Sequence, residues 1–325
     1  MSFLSTEIQP GDNVVVPSIN FVAAANLLKL IGANVYFCDI DADTFQISSK
    51  TLLECIKYYK LRKIKAVVLS YIGGYPSLDK ELIKIKKKYK FYLIEDACHA
   101  LGSTYKINNQ VHKVGSSKYT DISTFSLHPV KTITSGEGGI ISTNNKKLYE
   151  KIKKLRSHGI DRKKFYWEYE IGDSGLNYRL SDINCALAIS QLSKINKFVK
   201  KRGEIANKYN QDLIENRELL LKPKIRKNQL LSWHLYIIRI KFKKLSITRN
   251  FFIKCLNKKK IYPQIHYIPT YRFNKFKLKN KKNFEETEAY FKECLSLPIY
   301  YRLTLVEQNY IIKNINNLIL KYIKH

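Results

Sequence analysis

The stretch FSLHPVKTITSGEGG, residues 125–139, decides the fold. Its first residues read as the end of a buried strand, and Lys131 follows in a polar, glycine-bearing turn. A lysine beside a strand end in an α/β protein can sit in the crevice where such sheets hold ligands. Loss of water there lowers the pKa of the amine and makes it a usable nucleophile toward a carbonyl. The chain has 58 lysines and arginines, so this lysine taken alone reads first as surface decoration. Its surroundings have to decide.

Upstream, short apolar runs alternate with amphipathic helical patterns. NVVVP (13–17), ANVYFCDI (33–40), KAVVLSY (65–71), FYLIEDA (91–97), DISTFSL (121–127) and GGIISTN (138–144) read as strands. NFVAAANLLKLIG (20–32), SSKTLLECIKYYK (48–60) and LDKELIKIKKKYK (78–90) read as helices, the first ended by Gly32. This alternation predicts βαβ units and an α/β fold with a mostly parallel sheet. Residues 145–215 carry a helical pattern that ends in a long helix over 186–215. The remainder reads as a strand over 231–242, a helix over 248–260 and a closing helix over 304–325. We therefore expect a large domain over 1–215, including its connecting helix, and a smaller α+β domain over 216–325.

Two more segments end at the same edge of the expected sheet. In IEDACHALGS (94–103), Glu95 and Asp96 close a strand. A carboxylate there can keep a heterocyclic nitrogen protonated, or it can simply cap the following turn. His99 could face a ring or be structural. In PSINFVAAAN (17–26), Phe21 follows a strand and opens a helix, where it could lie on a flat ligand or join the core.

Composition removes several classes. There is no run of about 18 apolar residues, so a membrane span is not expected. The opening MSFLSTEIQPGDN lacks the basic-then-apolar pattern of a secretory signal, which points to the cytoplasm. Six cysteines lie singly, with no C-x-x-C, so no metal site is expected. The formal charge of +31 is spread along the chain in runs such as KIKKKYK (84–90), KKLYEKIKK (146–154) and KLKNKK (277–282). It reads as solvated lysines, with a positive field suited to a nucleotide diphosphate, and no motif supports nucleic-acid binding.

In order along the chain, GDNVVVPSINFVAAAN, DIDADTFQIS (39–48), YIGGYPSLD (71–79), IEDACHALGS, FSLHPVKTITSGEGG, LRSHGI (155–160) and GLNYRLSDINCALAISQL (175–192) resemble the DegT/DnrJ/EryC1/StrS family of sugar aminotransferases. That resemblance implies the aspartate-aminotransferase fold (fold type I) and the cofactor pyridoxal 5′-phosphate. It implies amino transfer from L-glutamate to C4 of a UDP-linked 4-keto-6-deoxy-N-acetyl sugar, as in pseudaminic acid-type biosynthesis, by a homodimer with shared active sites. Lys131 would be the Schiff-base lysine and Asp96 the partner of the pyridine nitrogen. Phe21 would stack on the ring, His99 would lie near its phenolic oxygen, and Ser126 would bond the phosphate. Asn177 would reach the phosphate in the neighbouring subunit. Arg179, His266 and Tyr267 would serve the substrate side, and His128 no chemical role.

The sequence departs from the family at its start. Relatives carry an arm and a first helix before the GD-x-V-x-V-P strand, with a hydroxyl-bearing turn that binds the phosphate. Here that strand is reached at residue 11. SFLSTEIQP is expected to be the tail of that helix, with Ser5 and Thr6 too close to the strand to form the turn. An exposed apolar face on the sheet is then expected, and a catalytically impaired homologue acting as a subunit is the competing reading. A dehydratase of the same family would carry histidine in place of Lys131.

Overall fold

The structure is a computed structural model and describes residues 1–165, 167–223, 229–277 and 283–323. A short helix α1 (Ser2–Ser5) precedes β1 (Asn13–Pro17), α2 (Ala23–Ile31), β2 (Asn34–Cys38), α3 (Ser49–Tyr58), β3 (Ala66–Ser70), α4 (Lys80–Tyr89) and β4 (Tyr92–Asp96). A hairpin of β5 (Thr104–Ile107) and β6 (Gln110–Lys113) leads to β7 (Ile122–Ser126), β8 (Gly139–Ser142) and α5 (Lys146–Leu155). A second hairpin, β9 (Ile160–Arg162) and β10 (Tyr169–Ile171), precedes α6 (Asp182–Leu192) and α7 (Ile195–Asp212). The last third holds β11 (Leu220–Leu221), β12 (Tyr236–Ile240), α8 (Arg249–Lys258), α9 (Glu285–Glu293), β13 (Cys294–Leu297) and α10 (Leu305–Tyr322).

The central sheet runs β2-β1-β3-β4-β7-β8. All neighbours are parallel except β8, which runs antiparallel to β7. β3 is buried at every position, as a central strand covered on both faces must be. On one face Leu52, Ile56, Leu82 and Ile85 of α3 and α4 pack against Val15, Val67, Leu69 and Leu93. On the other, Leu28 of α2 and Leu148 of α5 pack against Val14, Val16, Val68 and Ile94. The helices start where side chains can satisfy their first backbone donors. Ser48 and Thr51 form a reciprocal cap on α3, and Asp79 accepts from Leu82 N–H at 2.7 Å on α4. Gly32 ends α2 with φ +88°, a conformation that favours glycine. β11, β12 and β13 form a separate antiparallel sheet.

Three expectations need correction. The helical reading of 145–215 fails over 156–181, where the described residues form the β9–β10 hairpin and loops. Gly159 (φ +72°) sits so near Asp173 that a Cβ would fall 1.7 Å from its carbonyl oxygen, which ties the two loops together. The long helix over 186–215 is two helices, α6 and α7. At the break the Ser193 hydroxyl turns back on the Ser190 carbonyl at 2.9 Å, as serine does when it competes with the helix. The strand expected over 231–242 begins only at Tyr236. Before it, Ser232 is bound to the turn after β4, through Ser103 Oγ at 2.9 Å and the His99 carbonyl at 2.6 Å. The pattern also missed the β5–β6 hairpin, α9 and β13. Residues 278–282 of the lysine run and 324–325 of the closing helix lie outside the described residues.

Candidate active site

Strand alternation separates the two carboxylates at the end of β4. Glu95 points to the α3–α4 side, fully buried, and accepts from the Tyr71 hydroxyl at 2.7 Å and from the Ser123 hydroxyl. Burial raises its pKa despite those hydrogen bonds. Asp96 points to the α2 side. Its Oδ2 accepts from Asn20 Nδ2 at 2.9 Å, and its Oδ1 accepts from Cys98 N–H at 3.3 Å. Asn20 Oδ1 in turn accepts from Ser70 Oγ and Phe21 N–H, both at 2.7 Å, so the amide cannot turn over. α2 therefore starts at Ala23 rather than at residue 20: the chain bends over Ser18–Asn20 after β1, and Asn20 is used on the carboxylate instead of in the helix.

β7 ends beside β4, and the turn after it carries Lys131. That turn is fastened on Leu127, which donates N–H to Gly138 O at 2.9 Å and accepts from Ser135 N–H at 3.0 Å and Thr134 Oγ1 at 2.8 Å. The Lys131 amine is half-buried and makes no hydrogen bond among the described residues. Burial lowers its pKa, while Cys98 and Asp96 nearby oppose the shift. Ser126 sits at the strand end and accepts from His128 N–H at 3.3 Å. His128 itself is exposed and lies 3.6 Å from Glu137.

The segment around residues 264–271 crosses this end of the sheet. It is anchored by the Gln264–Ser296 bridge and by Thr270 N–H on Ser18 O at 2.9 Å. It brings His266 and Tyr267 to the site. His266 Nδ1 lies 2.8 Å from Ser296 Oγ, and burial beside the Lys131 charge lowers its pKa to about 4. The Tyr267 ring meets Phe21 edge-on at 6.0 Å, and its hydroxyl lies 3.3 Å from His99 Nε2. Phe21 is 58% exposed, an aromatic face presented rather than packed away. His234 was not singled out from sequence. Its ring lies 4.2 Å from that of His99, and both histidines are driven well below their ordinary pKa, by burial first. Gly73 and Gly74 allow this approach. A Cβ on Gly74 would lie 2.4 Å from Ser232 Oγ and 2.8 Å from the His99 carbonyl.

The structure thus brings Lys131, Asp96, Phe21, His99, His266 and Tyr267 to one end of the sheet. Ser126 lies at the same end, and Asn20 and His234 join them. Arg179 lines an apolar groove of about 500 Å³ together with Asp96, Cys98 and Thr124. Met1, Phe3, Leu27, Val68, Ile94 and Ile140 line the rest, so an apolar face of the sheet is open here. Asn177 is exposed and accepts from Arg179 N–H at 3.4 Å, with no contact to Lys131 or Asp96 within this chain. The Ser5 and Thr6 hydroxyls donate to carbonyls of their own helix, each at 2.9 Å, and are spent there. No described helix is long and apolar enough to cross a membrane.

Known proteins resemble this arrangement throughout. The profile of the DegT/DnrJ/EryC1/StrS aminotransferase family matches residues 1–316. A Campylobacter jejuni protein named UDP-4-amino-4,6-dideoxy-N-acetyl-beta-L-altrosamine transaminase is 37% identical over 300 residues, 92% of this chain and 77% of the relative. Among solved structures, Helicobacter pylori PseC, described as an aminotransferase involved in the biosynthesis of pseudoaminic acid, superposes with a TM-score of 0.85 at 30% identity. That match covers 99% of this chain and 83% of PseC. The PLP form of the putative sugar aminotransferase Spr1654 from Streptococcus pneumoniae gives 0.86 at 26% identity, over 99% and 84% of the two chains.

Proposed function

Since the chain belongs to the DegT/DnrJ/EryC1/StrS aminotransferase family and is a PLP-dependent sugar aminotransferase, we propose that it transfers the amino group of L-glutamate to C4 of a UDP-linked 4-keto-6-deoxy-N-acetyl sugar. The Campylobacter and Helicobacter relatives support that choice of sugar and the link to pseudaminic acid-type biosynthesis. The observation that carries the reading is a half-buried amine of lowered pKa, Lys131, beside a carboxylate, Asp96, that is fixed by Asn20.

These residues suit pyridoxal phosphate. Lys131 offers the amine that would hold the cofactor's aldehyde carbon, and Asp96 offers a fixed anion for its ring nitrogen. Phe21 offers an apolar face, and Ser126 a hydroxyl for the phosphate. When bound, the cofactor supplies an electron sink for the charge left as a proton leaves the amino-bearing carbon. The Lys131 Nζ would carry that proton between the amino-bearing carbon and the cofactor's aldehyde carbon, which needs an amine that is neutral part of the time. Burial favours that state. His266, kept neutral by burial, and Arg179, which lines the groove with Asp96, would serve the nucleotide-linked sugar.

The reading places Asn177 in the partner's site of a homodimer. α6, five residues on, supports this: none of its residues is buried, and Ile183 and Ile189 are 83% and 70% exposed. A division into a large domain over 1–215 and a small one over 216–325 belongs to the same reading. The test is direct. Lys131→Ala should abolish the visible absorbance of lysine-bound cofactor and all amino transfer; a retained band refutes the assignment. Ile183→Glu with Ile189→Glu should give a monomer by sedimentation.

A further inference from the structure

We propose that Tyr267, rather than His99, donates the hydrogen bond to the phenolic oxygen of the bound cofactor, and that His99 acts through Tyr267. The inference rests on the reading above, in which Lys131 and Asp96 hold the cofactor. It comes from counting donors. Each neutral imidazole has one N–H and one bare nitrogen. Gly73 N–H points at His99 Nδ1 at 3.3 Å. A backbone donor cannot turn over, so Nδ1 is the bare nitrogen. The proton of the neutral ring then lies on Nε2, which is 3.3 Å from the Tyr267 oxygen. His99 has spent its only donor on that phenol and has none left for a ligand.

Tyr267 is left in the complementary state. Its oxygen accepts from His99, so its own O–H is free to be donated. Burial raises the phenol's pKa, with Asp96 and Cys98 adding to the effect, so it keeps its proton. The titratable groups facing it are Asp96, Cys98, His99, His266 and Tyr290. Its ring also abuts Phe21, the expected platform for the cofactor ring.

Two features hold His99 in this role. His234 backs its ring at 4.2 Å, and His234 Nδ1 is buried with no hydrogen-bond partner among the described residues, so it does not compete for the His99 nitrogens. Gly73 adopts φ +74°, where a Cβ would lie 2.4 Å from the Tyr75 ring. The turn that aims its N–H therefore requires glycine. His99 is a positioning residue in this account. Tyr267 is the group that meets the cofactor.

The experiment uses the full chain with added pyridoxal phosphate and follows the visible absorbance against pH. On this account the phenolic oxygen would be shared between the Tyr267 O–H and the Lys131 nitrogen that holds the cofactor. Without the phenol, the nitrogen has the oxygen to itself and holds its proton more tightly. Tyr267→Phe should therefore raise the midpoint of the absorbance change by about one pH unit, the scale of one charge-assisted hydrogen bond. His99→Phe should raise it too, but should add nothing in a Tyr267→Phe background. A merely structural role for either residue would lower the melting temperature and leave the midpoint in place. An unmoved midpoint in Tyr267→Phe overturns the proposal, as does a His99→Phe shift that is undiminished in the double variant. Loss of the band from Tyr267→Phe at an unchanged melting temperature also overturns it, because the phenol would then be an anchor. Absence of the band from the unsubstituted protein removes the cofactor reading itself, and this inference with it.

Discussion

Glu95 and Asp96 are consecutive on β4, yet the two sides of the sheet treat them oppositely. Glu95 is fully buried on the α3–α4 side, with the Tyr71 and Ser123 hydroxyls closed around it. Asp96 opens onto the groove on the α2 side, held by one amide and one backbone N–H. Side-chain alternation along a strand is enough to make one carboxylate part of the packing and the other available for chemistry. Which strand ends are functional is therefore decided by parity as much as by position. The largest effect should follow from breaking that division. Asp96→Asn should lower kcat/KM about a hundredfold or more, the range of a positioned acid–base group. Glu95→Gln should lower it less than about threefold. Comparable losses in steady-state kinetics would mean that the two faces do not divide the labour.

Stability should show the reverse order. Glu95→Ala leaves the buried Tyr71 hydroxyl without an acceptor and Ser123 with only the long contact to Ser117 Oγ at 3.4 Å, at a cost of about 2–3 kcal/mol. Asp96→Ala leaves the Asn20 amide and the Cys98 N–H without their acceptor, but beside an open groove that water can enter, at about 1 kcal/mol. Urea unfolding without added cofactor would separate the two, since bound ligand would otherwise add its own linkage to each midpoint. An Asp96→Ala variant as unstable as Glu95→Ala would show that the groove side carries the fold as well as the site.

The same contrast governs what could be read from sequence. Strand ends were legible because β1, β3, β4 and β7 are short apolar runs bounded by polar turns; that Lys131, Asp96 and Phe21 beside those ends carry chemistry, and that Ser126 does, was implied only by the family resemblance. Asn20 was not legible. Nothing local distinguishes it from the other asparagines of a chain rich in them, and its partner Asp96 is 76 residues away. His234 lay inside an apparent strand, and only the anchoring of Ser232 to Ser103 and His99, 129 and 133 residues distant, turns that strand into a lining of the site. The loops over 156–181 were misread for a similar reason: helical spacing is local, while the contact of Gly159 with Asp173 is set by packing. The helix pattern saw α6 but not its exposure, which depends on what covers it.

The smallest effects concern pH, and here the two sides should differ in sign. Burial raises the folded-state pKa of Glu95 above its ordinary 4.5. Its stabilising contribution is complete below that value and is lost as pH rises through the folded pKa. His266 shifts the other way, from 6.5 to about 4. Its contribution is complete above 6.5 and is lost as pH falls toward 4. Melting temperatures between about pH 4 and 8, compared with those of Glu95→Gln and His266→Gln, should resolve both. The glutamine variant at 95 should gain on the native chain as pH rises. The variant at 266 should gain on it as pH falls, each by about 2–4 °C. Parallel curves for Glu95→Gln would mean that Glu95 ionises in the folded chain as it does in the unfolded one, and the sealed side of the sheet would then be no drier than the open one.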